Sequence, residues 1–141
     1  MLRLVLFFFL PMLAANGPGP LVLDVEIEGM RNHRGQIHAC LTRNPSHFPD
    51  CRNDPEALRQ SVAAASHHLR FSGFQAGTYA LTILHDENSN GRMDKIVGVP
   101  KEGFGFSQNP IVRFVAPSFD RVRIALLRGH ADTKVRIQYV L

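Results

Sequence analysis

The stretch Leu21-Val22-Leu23-Asp24-Val25-Glu26-Ile27-Glu28 decides the fold. Leu21, Leu23, Val25 and Ile27 take one side and Val22, Asp24, Glu26 and Glu28 the other. Successive side chains of a strand point to opposite faces, so this period of two predicts a strand with one buried and one wetter face. Gly29 and Arg31-Asn32-His33-Arg34-Gly35 then break the pattern as a turn. The same alternation returns in Ile37, Ala39 and Leu41, with Cys40 on the opposite face, in His68 to Phe74, and in Tyr79, Leu81 and Ile83 within Thr78 to His85. Gln75-Ala76-Gly77 is short enough to join the last two as antiparallel neighbours. Towards the end, Val122, Ile124 and Leu126, then Val135, Ile137 and Tyr139, predict two strands around a turn at Gly129-His130-Ala131-Asp132, and Ile111 to Val115 predicts a weaker one.

About seven short strands in one domain-sized chain predict an all-β fold, an antiparallel β-sandwich of immunoglobulin or transthyretin type. Its inward residues are expected to include Val25, Ile27, Ile37, Leu81, Ile83, Ile124 and Ile137. Composition agrees: the 141 residues are 45% hydrophobic and 20% charged, with ten phenylalanines, eleven glycines and nine prolines. That profile excludes a disordered chain and a multidomain enzyme. Between the second and third strands, Arg43 to Asp54 predicts a proline-rich loop, and Asp54-Pro55-Glu56-Ala57 predicts one helical turn capped by Asp54.

The first fifteen residues have the shape of a secretory leader: Arg3, an apolar run from Leu4 to Leu13 broken by Pro11, then Ala14-Ala15. The run is too short for a membrane span. Leu13 stands where a small residue favours cleavage, so a retained anchor is the alternative. Residues 16–20 predict a linker and residues 21–141 a single sandwich domain, periplasmic or secreted, with no transmembrane span after leader removal. The two cysteines, Cys40 and Cys51, predict one disulfide around the proline-rich loop, as suits an oxidising compartment. The net charge of +4 lies in dispersed arginines without a basic run, which argues against a nucleic-acid partner.

The densest polar cluster follows an apolar strand. Asp86, Asn88 and Asn90 occupy positions one, three and five of a D-x-N-x-N-G loop, with Gly91 at six, Arg92 offering its carbonyl at seven and Asp94 at nine. Oxygen donors at every second residue can wrap calcium, but Val97 stands at position twelve in place of the bidentate Glu. Calcium held weakly is one expectation, and an Asx-rich turn bonded to its own backbone is the other. For catalysis, His85 with Asp86 or Glu102 is the alternative hydrolytic set; Ser107 lacks a nucleophile elbow. Glu102, Phe104, Phe106 and Ser107 form an aromatic, glycine-rich stretch with two readings, a loop for interaction or a loop pinned into the core.

Taken together, Gly77-Thr78-Tyr79-Ala80, His85-Asp86-Glu87-Asn88 with Asn90-Gly91 and Asp94, Gly98-x-Pro100-x-Glu102-Gly103-Phe104-Gly105-Phe106-Ser107 and Pro117-Ser118-Phe119 resemble an uncharacterised bacterial secreted family, domain of unknown function 2141. The resemblance spans residues 21–141. It implies a small exported β-sandwich and brings no activity with it. The expected function is a non-catalytic binding or interaction domain of the cell envelope, whose partner is an envelope protein or an extracellular ligand.

Overall fold

The computed structural model describes residues 20–141. The leader and most of the linker, residues 1–15 and 16–19, lie outside the described residues. Two sheets face each other. The first has strand order β10-β1-β4, from His130–Arg136, Leu21–Glu28 and His68–Phe74. The second has order β3-β2-β5-β8, from Leu58–Ala63, Gln36–Thr42, Gly77–Asp86 and Gly103–Phe106. β9, Ile124–Leu126, pairs with the first residues of β5, and β6 with β7, Lys95–Ile96 and Val99–Pro100, form a separate small hairpin.

The core between the sheets contains the residues that alternation assigned to it. Leu23, Val25 and Ile27 meet Ile37, Ala39, Leu41, Leu81 and Ile83, with Phe71, Val135 and Ile137 closing the ends. Ile124 is only partly buried against this core. The fold is an all-β sandwich, as expected, and five local expectations are corrected. β4 and β5 are not paired neighbours but belong to different sheets, so Gln75-Ala76 carries the chain across the sandwich. β9 and β10 do not flank a turn at Gly129–Asp132. His130 to Asp132 already belong to β10, which crosses to the first sheet and pairs with β1 in parallel, Asp24 opposite Asp132 and Val25 opposite Thr133. Ile111 to Val115 form no strand, and Val122 closes a short helix, α1, Phe119–Val122. Asp54 caps no helix: its carboxylate accepts from the Thr42 hydroxyl at 2.5 Å and from the Glu56 amide at 3.0 Å, shaping a turn before the unforeseen strand β3.

A second, smaller core lies on the far side of the second sheet. Ala80, Phe104, Phe106 and Val122 are its buried residues, with Phe48, Met93, Val112, Phe119 and Val140 packed against them. Phe48 comes from the loop that the Cys40–Cys51 disulfide holds down, and Val112 and Phe119 come from the strap that follows β8. The alternation Gly103-Phe104-Gly105-Phe106 makes this possible. The phenylalanines enter the second core, while a Cβ at Gly103 would lie 2.5 Å from Ile137 and Tyr139 and one at Gly105 would lie 2.6 Å from Val135. Only glycine lets β8 approach the end of β10 so closely. Just past β10, Gln138 bridges to Phe104, joining the two sheets along that side.

Candidate functional site

β5 ends in His85-Asp86, both fully buried, and delivers them to the base of the polar loop. Asp86 is the loop's internal anchor. One oxygen accepts the Asn90 amide at 3.1 Å; the other accepts the Gly91 amide at 2.7 Å and pairs with His38 Nε2 at 2.9 Å. Burial pushes its carboxyl up, but the His38 and backbone bonds outweigh that and hold it below the usual aspartate value. Asn88 accepts from the Asn90 amide, and Asn90 from the Arg92 amide, so each short side chain bends the chain two residues on. Their amide nitrogens converge on Asp94, at 2.7 Å from Asn88 and 2.9 and 3.0 Å from Asn90. These bonds lower the Asp94 carboxyl, which the Arg92 guanidinium also approaches at 3.7 Å.

The fold therefore brings Asn88, Asn90 and Asp94 together, with Asp86 beneath them directed at the loop backbone. Val97, at the twelfth position, is 96% exposed at the tip of the β6–β7 hairpin. Glu102 closes the loop from below. It is buried, and its two oxygens accept the amides of Glu87 and Asp94 at 3.1 Å each, stapling the loop's two ends.

His85 is the base that the hydrolytic reading names, and its ring is fully engaged. Nε2 lies 2.8 Å from the Arg34 carbonyl and Nδ1 lies 2.7 Å from the Tyr139 hydroxyl. A carbonyl only accepts, so the ring proton sits on Nε2 and Nδ1 takes the hydroxyl hydrogen. Tyr139 in turn accepts the Arg31 amide. The Arg31 guanidinium lies 4.4 Å from the centre of the tyrosine ring and forks onto Glu87, at 2.6 Å through Nη2. Burial pushes the Glu87 carboxyl up, but the Arg31 and Asn32 bonds keep it below its ordinary value. Gly35 permits this arrangement: at φ +74°, an added Cβ would fall onto the Asp86 carbonyl. Sequence reasoning missed Arg31 and Tyr139 because 108 residues separate them and neither belongs to a motif.

The expectation of an interaction loop at Glu102, Phe104, Phe106 and Ser107 is corrected. All four are buried, the phenylalanines in the second core. Ser107 donates to the Val122 carbonyl at 2.5 Å and accepts the Leu81 amide at 3.0 Å, so its hydroxyl ties the strap to β5. The exposed apolar residues come next in the chain. Gln138 grips the strap through the Pro110 carbonyl at 2.8 Å and the Val112 amide at 3.0 Å, while Ile111, Phe114 and Val115 are 79%, 86% and 81% exposed. Among the described residues no helix is long and apolar enough to cross a membrane.

No curated protein and no solved structure shows significant similarity to the chain. The family model for domain of unknown function 2141, described as an uncharacterized protein conserved in bacteria, matches residues 25–136. That match runs from within β1 through the end of β10 and takes in the Asp86 loop, the Glu102 staple and the buried residues of the second core, and the chain is a member of this bacterial family.

Proposed function

We propose that the chain is an exported, non-catalytic interaction domain of the bacterial cell envelope, and that it meets its partner through the strap at residues 111–115. The observation that carries this reading is the outward display of Ile111, Phe114 and Val115 on a segment pinned by Gln138. Large apolar side chains grouped on a held segment offer a contact whose ordering is already complete before binding. The Cys40–Cys51 disulfide supports an oxidising compartment. The hydrolase reading is weakened by His85, whose two nitrogens are both occupied.

The test is capture from envelope extract with the wild type and with an Ile111→Ser, Phe114→Ser, Val115→Ser variant. A partner held by the first and lost by the second supports the reading; identical capture rejects it. An esterase, phosphatase or glycosidase activity abolished by His85→Ala would replace it with the hydrolase. Full-length, thiol-reactive protein in the cytoplasm would reject export.

Calcium at the Asp86–Asp94 loop is a second proposal, favoured by the gathering of Asn88 and Asn90 on Asp94. Holding a hard cation there would require the loop to rearrange, because the Asn88 and Asn90 oxygens that would join the Asp94 carboxylate accept the Asn90 and Arg92 amides. Such an ion would stabilise the loop by about 1.4 kcal/mol at tenfold saturation. The melting temperature should rise in millimolar calcium relative to chelator and should not do so in an Asp86→Ala, Asp94→Ala variant. Equal melting of the wild type in both conditions rejects the ion.

A further inference from the structure

We propose that Asp24, His130 and Asp132 form a binding site for a divalent transition metal of the zinc class on the outer face of the first sheet, on the opposite side of the sandwich from the second core. The backbone builds the group. His130 and Asp132 are two apart on β10 and share a face, and the parallel pairing sets Asp24 of β1 directly opposite Asp132. His130 Nε2 lies 2.6 Å from the nearer Asp24 oxygen and 3.5 Å from Asp132, and one donor atom from each of the three residues fits within 4.8 Å of the others. Donors around a single tetrahedral zinc, each at 2.0–2.2 Å from it, are about 3.3–3.6 Å apart. Small side-chain rotations therefore bring the set onto one ion.

The same strand register adds a charge argument for a cation. Asp24 and Asp132 are register partners on adjacent strands, and like charges placed so are destabilising unless something positive sits between them. Arg70 answers Asp24 on both of its oxygens. Its Nε bonds one Asp24 oxygen at 2.6 Å and its Nη2 the other at 2.8 Å, which fixes the carboxylate as the outer partner of a metal ligand does. Asp132 is 83% exposed, and among the described residues only His130 lies within ion-pairing distance of it. Asp24 and Asp132 also line a shallow groove of about 260 Å³ together with Glu26, His68 and Lys134.

The donor chemistry selects the metal. One imidazole with two carboxylates and no sulfur suits zinc, cobalt or nickel; calcium takes oxygen donors and gains nothing from His130. Nearby Arg70 and Lys134 oppose a second positive charge, so binding is expected to be modest in strength.

Calorimetric titration of the purified protein with zinc chloride, repeated with cobalt to read the visible bands of the bound ion, tests the site. One saturable equivalent is expected, with His130→Ala and Asp132→Asn each weakening it at least tenfold. A His33→Ala, His67→Ala variant, which removes another pair of rings 4.5 Å apart, should bind as the wild type does. The proposal is overturned if the wild type shows no saturable binding, if both single variants bind like the wild type, or if the His33, His67 variant is the one that loses the metal.

Discussion

The two sheets treat their outer faces in opposite ways. On the first, Asp24, Glu26 and Glu28 of β1 stand between Arg70 of β4 and Lys134 and Arg136 of β10, an exposed ladder of ion pairs. On the second, Ala80, Phe104 and Phe106 are roofed by the Phe48 loop and the strap, and no such ladder forms among the described residues. β1 alternates buried and half-buried residues without a break, whereas β5 buries Tyr79, Ala80 and Leu81 in succession. An outer face in water contributes little to stability, because exposed pairs gain little Coulomb energy and are screened by salt. A roofed face behaves as core, where both lost volume and unpaired polar atoms are felt.

The largest effects should therefore fall on the roofed side. Phe106→Ala should lower the unfolding free energy in urea by about 3–5 kcal/mol, matching Phe71→Ala in the central core. A loss within error would show that the second core is not one. A Cys40→Ser, Cys51→Ser variant should lose about 3 kcal/mol, the loop-closure entropy of an eleven-residue separation, and should also loosen the Phe48 roof. A wild-type-like denaturation midpoint there would mean that the roof holds without its clamp.

Asp86→Ala should cost about 2–3 kcal/mol, since the amides of Asn90 and Gly91 lose a buried charged acceptor. The same group sets a pH dependence. Asp86, Glu87 and Asp94 have folded values below their unfolded ones, near 3.9 for Asp and 4.3 for Glu. Their stabilisation is thus fully present above those unfolded values and is lost as pH falls through the folded ones. The urea midpoint should stay level, as far as these carboxylates go, from pH 7 to about 5 and fall below about 4. Asp24 and Glu26 are lowered too, but by exposed partners, so added salt should reduce their share of the acid response and leave that of Asp86.

A smaller effect has the opposite sign. The Thr82 hydroxyl is buried and has no hydrogen-bond partner among the described residues, on a strand face that the second core makes apolar. Thr82→Val should raise stability by about 1 kcal/mol; a loss would place an unseen partner on that oxygen. Last, Lys134→Ala on the open face should leave the urea midpoint unchanged within error, and a clear fall would show that the ladder carries more of the fold than its exposure implies.

The strands were legible where one face is wet and one dry. Leu21 to Glu28 and Gln36 to Thr42 appear as they read, because alternation is a local record of that asymmetry. Leu58 to Ala63 was missed although it is an edge strand, since Arg59 and Gln60 obscure a weak pattern and the helical signal at Asp54-Pro55 stands just before it. Ile111 to Val115 looked like a strand because consecutive apolar residues suggest burial. Here they straddle a strap whose Val112 faces in and whose neighbours face out. The candidate site was half legible: the Asx spacing marked the Asp86 loop, but nothing local linked Arg31, Glu87 and Tyr139.

What the sequence alone determined was the class of structure, a two-sided β fold with one polar loop, because side-chain period and turn chemistry are properties of neighbouring residues. Pairing partners, the direction of β10 and the fate of Gly103-Phe104-Gly105-Phe106 were decided only in three dimensions. A glycine beside a phenylalanine reads equally as an exposed loop or as a close-packed strand. What chose between them was the arrival of Val135, Ile137 and Tyr139 against the glycine side and of Val112 and Phe119 over the aromatic side. Those contacts join residues thirty or more positions apart in one case and distant by a whole strap in the other, and no local pattern records the free energy gained when they close.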